Sequence, residues 1–167
     1  MLRTAHLVLG ILNGLNWALG VPFVLLFAFL TIEPSALPSQ IATEFDPRET
    51  GALVRWLWVA CAVSILTVPL AHIIFTRLRR MIRDAEQGDA FSPASIGSLR
   101  TIALCMLGIG VGDLAFGLTS IDVSEQTGEY LGWSPSLSIW LVSGLLLVLA
   151  RIFAEGLAMR EDLEGTV

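Results

Sequence analysis

Residues 76–100 read TRLRRMIRDAEQGDAFSPASIGSLR. This is the one strongly polar stretch between two long apolar runs on either side. It holds five of the ten basic residues of the chain: Arg77, Arg79, Arg80, Arg83 and Arg100. A polar hairpin of this kind, rich in Arg and flanked by spans, is what the cytoplasmic side of a membrane selects. The orientation of everything else follows from it.

Working outward, composition agrees with a lipid-embedded chain. Of the 167 residues 54% are hydrophobic and only 15% charged, with a mean hydropathy of +0.74. A soluble domain carries about 25% charged residues. Four apolar runs stand out, at 5–32, 51–75, 101–118 and 137–153. Each approaches or exceeds the ~20 residues that cross a hydrocarbon core. Arg3 precedes the first run, but that run far exceeds a signal-peptide core of about 7–15 residues, so it reads as a retained helix. Pro22 and Pro69 fall inside spans, where neighbouring helices re-satisfy the freed backbone.

The hairpin reads as an emerging helix with Leu78, Met81, Ile82 and Ala85 on its apolar side. Gly88 is its expected stop and Phe91 an anchor for the turn. Ser92 and Pro93 then form an N-cap and first helical residue. Residues 33–50 and 119–135 are the other connections; both are acid-rich, and the first carries a single base, Arg48. Trp56, Trp58, Tyr130, Trp133 and Trp140 near their flanks fit an interfacial aromatic belt.

The N-terminus, hairpin and C-terminal end carry Arg3, the five hairpin arginines, Arg151 and Arg160. The other two connections and their flanks hold only Arg48 and Arg55. The expectation is therefore an all-α polytopic membrane protein: a single domain over 1–167, a four-helix transmembrane bundle with both termini cytoplasmic. The hairpin 76–100 and the tail 154–167 face the cytoplasm in this reading. Arg151 and Glu155 are spaced to pair on one helix face.

Several residues are candidates for function. Asp113 lies inside the third run, where an ionisable group costs at least ~2.5–3.5 kcal/mol on insertion scales and needs a partner. Depth arithmetic puts Asp113 and Arg55 both within roughly 6–9 Å of the outer surface, so an Arg55–Asp113 pair is the first expectation and Asn16 the next partner. Asn13 and Asn16 lie about one turn apart in the first run, beside the Gly10/Gly14 pair. Such residues serve as helix–helix glue or line a polar site. The Gly10/Gly14 and Gly108/Gly112 pairs suit self-association and intramolecular packing alike. Arg77, Arg79, Arg80, Arg83 and Arg100 serve either for headgroup contact or as a docking surface for a cytoplasmic partner. Direct binding of nucleic acid is not expected, because the hairpin is short and carries Asp84, Glu86 and Asp89.

Catalytic chemistry has no motif here. There is no H-E-x-x-H, G-x-S-x-G, P-loop or dinucleotide fingerprint. Cys61 and Cys105 sit in apolar runs without C-x-x-C spacing and read as small buried hydrophobes. His72, a lone His near an interface, reads as structural, and His6 lies near the same inner side. No catalytic residue, metal or cofactor is assigned.

Two blocks carry a family resemblance. One is RLRRMIRDAEQGDAFSPASIGSLRTIA at 77–103, with Gly88, Asp89, Phe91, Leu99, Arg100 and Ile102. The other is LARIFAEGLAMREDLEGTV at 149–167, with Phe153, Glu155, Gly156, Leu163, Glu164, Gly165, Thr166 and Val167. Together they resemble the bacterial domain-of-unknown-function 2975 family of small four-span membrane proteins. Ser95 stands where that family has Asn, and Ala103 where it has Gly. The resemblance implies a bacterial inner-membrane location. It also implies a neighbouring partner, a small helix-turn-helix regulator of the Cro/C1 type. The hairpin and the acidic tail (Glu161, Asp162, Glu164) would form the docking face, which makes the expected role regulatory or scaffolding and non-enzymatic. The competing expectation is a small transporter or ligand-sensing bundle centred on Asp113, Arg55 and Asn16.

Overall fold

The computed structural model describes residues 2–87, 92–128 and 132–164, and the side chains of 4–87, 92–128 and 132–159. Gly88, Asp89, Phe91, Tyr130, Gly165, Thr166 and Val167 lie outside the described residues, as do the side chains of Arg3, Arg160, Glu161, Asp162, Leu163 and Glu164. The described residues are helical, with no strand among them. They form α1 (Leu2–Ile32), α2 (Ala36–Ile41), α3 (Pro47–Glu86), α4 (Pro93–Thr127) and α5 (Leu137–Glu164). All but α2 are long and apolar enough to cross a membrane. α2 is the short helix of the first connection.

The ends of the helices follow local chemistry. α3 begins earlier than the apolar run, because Asp46 and Pro47 supply an N-cap and a first helical residue. The Asp46 N–H donates to Glu49 Oε2 at 3.1 Å, the returning half of a capping box, and the Thr50 N–H donates to the Asp46 carbonyl at 2.8 Å. α3 then continues as one helix through Pro69 and Arg83 to Glu86, so the arginine-rich segment is helical as expected. α4 starts where Ser92 and Pro93 place it; Ser92 Oγ accepts the Ser95 N–H at 3.3 Å. α4 ends at Thr127 rather than 118, and Gly128 stops it with φ +73°. The Gly128 N–H donates to the Ser124 carbonyl at 3.0 Å, which closes the last turn.

The four long helices leave bulky apolar side chains uncovered, many on α1 and α5, several on α4 and Leu66 on α3. On α5, Leu137 and Leu141 are each 73% exposed, and Leu145, Val148 and Ile152 follow on the same stripe. Water does not tolerate contiguous patches of this size, whereas lipid requires them. The chain is a multi-pass membrane protein. α4 is the most enclosed of the four, with 33% of its most apolar stretch buried against 6–11% in the others. Its small residues account for that: Ser95, Ser98, Ala103, Gly112, Gly117 and Ser120 are all buried.

The chain forms two compact units. One holds Met1–Asn16, Leu70–Gly108 and Leu137–Val167; the other holds Trp17–Pro69 and Ile109–Ser136. In the first unit α1 and α3 run antiparallel, since Asn13 meets His72 and His6 meets Arg79. Leu70 of α3 packs where a Cβ on Gly108 of α4 would come within 3.1 Å. In the second unit Phe27 of α1 sets its ring edge-on to Trp58 of α3, with centroids 5.2 Å apart. There α3 and α4 are also antiparallel: Arg55 pairs with Asp122, and Val63 lies against Gly112.

Candidate functional site

The second unit holds Arg55 and Asp113, and the structure does not pair them. Arg55 Nη2 donates to Asp122 Oδ2 at 2.9 Å, and Gln126 Nε2 donates to Asp122 Oδ1 at 2.6 Å. The correction has a plain cause. The apolar run ends at Leu118, but α4 runs nine residues further, to Thr127. Asp122 is therefore on the helix, more than two turns beyond Asp113, at the level of Arg55. This pair is largely exposed, with 63% and 50% of the two side chains accessible, so it fixes register weakly.

Asp113 instead receives a neutral donor. Trp133 Nε1 points to Asp113 Oδ1 at 3.4 Å, a long hydrogen bond. The Trp133 indole lies on Gly117, where any Cβ would overlap the ring. Trp133 also lines a cavity of about 240 Å³ with Ser120, Ile121, Ser124, Glu125 and Gly132. Beside it, Trp56 Nε1 donates to Ser120 Oγ at 2.9 Å, and Ser120 Oγ donates to the Phe116 carbonyl at 2.9 Å. Trp56 is thus a half-buried hydrogen-bonded contact between α3 and α4.

In the first unit the five hairpin arginines divide by environment. Arg80, Arg83 and Arg100 are exposed, and no hydrogen bond or ion pair holds them among the described residues. Arg77 is half-buried. Arg79 is turned inward: its Nη2 donates to the His6 carbonyl at 3.2 Å, and its Nε is closed off without a partner. Gly10 makes that possible, because a Cβ there would stand 2.5 Å from Nη2. Gly14, its expected companion in the small-residue pair, is exposed with nothing within 4 Å.

Asn13 Oδ1 and His72 Nδ1 are 2.9 Å apart, so one of the two candidate asparagines joins α1 to α3. Asn16 is half-buried on the same helix. His6 Nε2 lies 3.8 Å from Glu86 Oε2. Arg151 Nε donates to Glu155 Oε1 at 3.1 Å, the pairing that their spacing predicts. Cys61 and Cys105 are buried in their helices and free.

Sequence reasoning missed Asp122, Trp133 and the His6–Glu86 approach. A signal for Asp122 was present: no proline or glycine interrupts 118–127, and Asp122 and Gln126 are one turn apart. Nothing local marks Trp133 as a partner of Asp113, since the contact depends on how the connection after α4 returns.

The residues that carry the family resemblance have structural roles. Leu99 and Ile102 are 6% and 4% exposed and pack α4, whereas Arg100 points outward. Ser95, at the position of the family's Asn, is buried, and its N–H is the donor capped by Ser92. No curated protein and no solved structure matches the chain. A family model described as Protein of unknown function (DUF2975) matches residues 40–167, which takes in α3, α4, α5 and the arginine-rich hairpin. With most of its length matched in this way, the chain belongs to the DUF2975 family of proteins of unknown function.

Proposed function

We propose that the protein is a non-enzymatic membrane anchor that docks a cytoplasmic regulator through the hairpin between α3 and α4. The observation that carries this reading is the state of Arg80 and Arg83. They are three residues apart on α3, exposed, and held by no carboxylate among the described residues. Neighbouring free guanidiniums on a rigid helix offer a fixed, fork-shaped surface for an acidic partner. Arg100 adds a third exposed cation at the start of the next long helix. The positive-inside rule directs this segment to the cytoplasm of a bacterial inner membrane, with both termini on the same side. A small helix-turn-helix protein is the partner class that the family resemblance implies; nucleic acid itself is not a ligand in this reading.

The test is cross-linking in the native membrane, purification in mild detergent and identification of the bound protein. The Arg80→Glu/Arg83→Glu variant is expected to lose a small helix-turn-helix partner while keeping the wild-type thermal unfolding curve. Retention of the partner by that variant overturns the reading. Arg79 is left out of the variant because it is built into the α1–α3 contact.

Trp133 supports a second reading, a ligand-sensing bundle. It lines the cavity of about 240 Å³ and also donates to Asp113, which connects the cavity to the intramembrane acid. In that case a bound ligand raises the unfolding temperature of the wild type and not of Asp113→Asn. An equal response in both variants removes Asp113 from any such site.

A further inference from the structure

The geometry points to an anionic-phospholipid site between the first turns of α1 and the end of α3, where the lipid phosphate is held by Arg79. The inference is independent of the docking surface on Arg80 and Arg83.

Arg79 is unusual among the arginines of the hairpin. A guanidinium has five N–H donors and no acceptor capacity. Among the described residues it has one acceptor, the His6 carbonyl at 3.2 Å, and its Nε is shut from solvent with none. Enclosed donors are almost always satisfied, and one that is not calls for an explanation such as an ion or ligand. Among the described residues Arg79 also forms no ion pair. Of the two acids at this end of α3, Asp84 forms no ion pair with Arg79, and Glu86 lies against His6 Nε2.

Arg79 also lines an open cavity of about 390 Å³ together with His6, Leu7, Gly10 and Ile11. Leu7 and Ile11 are 68% and 69% exposed and stand one turn apart on α1. The pocket is therefore amphipathic: a cation at its base and an apolar ridge along one wall. Its level follows from the apolar run of α1, which begins near residue 5, so His6–Ile11 are the opening turns of that run. Phosphates of a bilayer lie at this depth, with acyl chains continuing along the helix. A phosphodiester accepts two N–H donors of a guanidinium fork at once. Leu7 and Ile11 then face the upper acyl chain. One guanidinium in the lining matches one phosphodiester charge, which favours a monoanionic lipid such as phosphatidylglycerol.

The experiment is native mass spectrometry of the purified, partner-free protein from nanodiscs of phosphatidylcholine doped with phosphatidylglycerol. One saturable phosphatidylglycerol per chain is expected. Arg79→Gln, and Gly10→Ala, which pushes the guanidinium aside, are each expected to weaken it about tenfold. Arg151→Gln removes the same charge from an exposed, Glu-paired site and should change binding by less than about twofold. Equal losses in Arg79→Gln and Arg151→Gln would mean diffuse attraction and overturn the proposal. Displacement of the lipid by millimolar inorganic phosphate would assign the site to free phosphate and overturn the lipid reading. A photoactivatable phosphatidylglycerol on wild-type protein decides the matter even if the variants fail to fold. Its adduct belongs on the peptide containing His6–Ile11, and labelling elsewhere overturns the site.

Discussion

Gly117 and Trp133 show what a single residue decides in this protein. The indole lies where any side chain on Gly117 would be, and its N–H reaches Asp113. Gly117→Ala forces the ring away and strains the α4 contact, which typically costs about 1–3 kcal/mol. Thermal unfolding in detergent, followed by circular dichroism, should show the loss together with a shift in tryptophan fluorescence. Gly144→Ala on α5 is the control, since nothing lies within 4 Å of a Cβ there and the site is exposed. That change should be neutral or slightly stabilising, by up to about 1 kcal/mol from helix propensity. The polar pairs in the same unit differ in the same way. Ser120→Ala strips the acceptor from the half-buried Trp56 N–H, a loss of about 1–3 kcal/mol. Asp122→Ala removes an exposed ion pair and should cost no more than about 1 kcal/mol. A larger effect of Asp122→Ala than of Ser120→Ala would reverse this ranking.

At the scale of the element, α4 shows what was legible and what was not. Its start was readable because Ser92 and Pro93 are local signals, and the cap bond confirms them. The apolar run stops at residue 118, which is where periodicity and composition put the end. A helix, however, does not end where apolarity ends; it ends where the backbone is turned. The last nine residues, TSIDVSEQT, contain no breaker, and Ser124 and Thr127 return their hydroxyls to carbonyls one turn back. The turn is made at Gly128 in the left-handed region. Gly128→Ala should therefore cost about 1–2 kcal/mol. Hydrogen exchange should locate the lost protection in the last turn of α4, with the first turn unchanged. Loss spread evenly along the helix would mean that Gly128 does not set the boundary.

For the whole molecule, the number and type of spans were legible because composition and length suffice for them. The long-range partners were not. Asp113 with Trp133, Arg79 with the His6 carbonyl and Asn13 with His72 bring together residues 20 to 73 positions apart, and neither periodicity nor motif registers such distances. Orientation stands between the two, because it depends on charge asymmetry and on the membrane and not on internal contacts. Arg77, Arg80 and Arg83 lie near the end of α3, and the acidic connection through α2 lies at its start. If these charges set the topology, the two ends of α3 face opposite compartments. Thr43 and Gln87 are exposed just outside those ends. With Cys61 and Cys105 buried and slow to react, Thr43→Cys should take up a membrane-impermeant maleimide in intact cells. Gln87→Cys should do so only after permeabilisation. The opposite pattern would put the arginine hairpin outside the cell and remove the basis for a cytoplasmic partner. Arg80→Glu/Arg83→Glu should leave both labelling patterns unchanged, because Arg3, Arg77, Arg79 and Arg100 still mark the same side; exposure of the Gln87→Cys label in that variant would mean that its loss of the partner reports inversion and not docking.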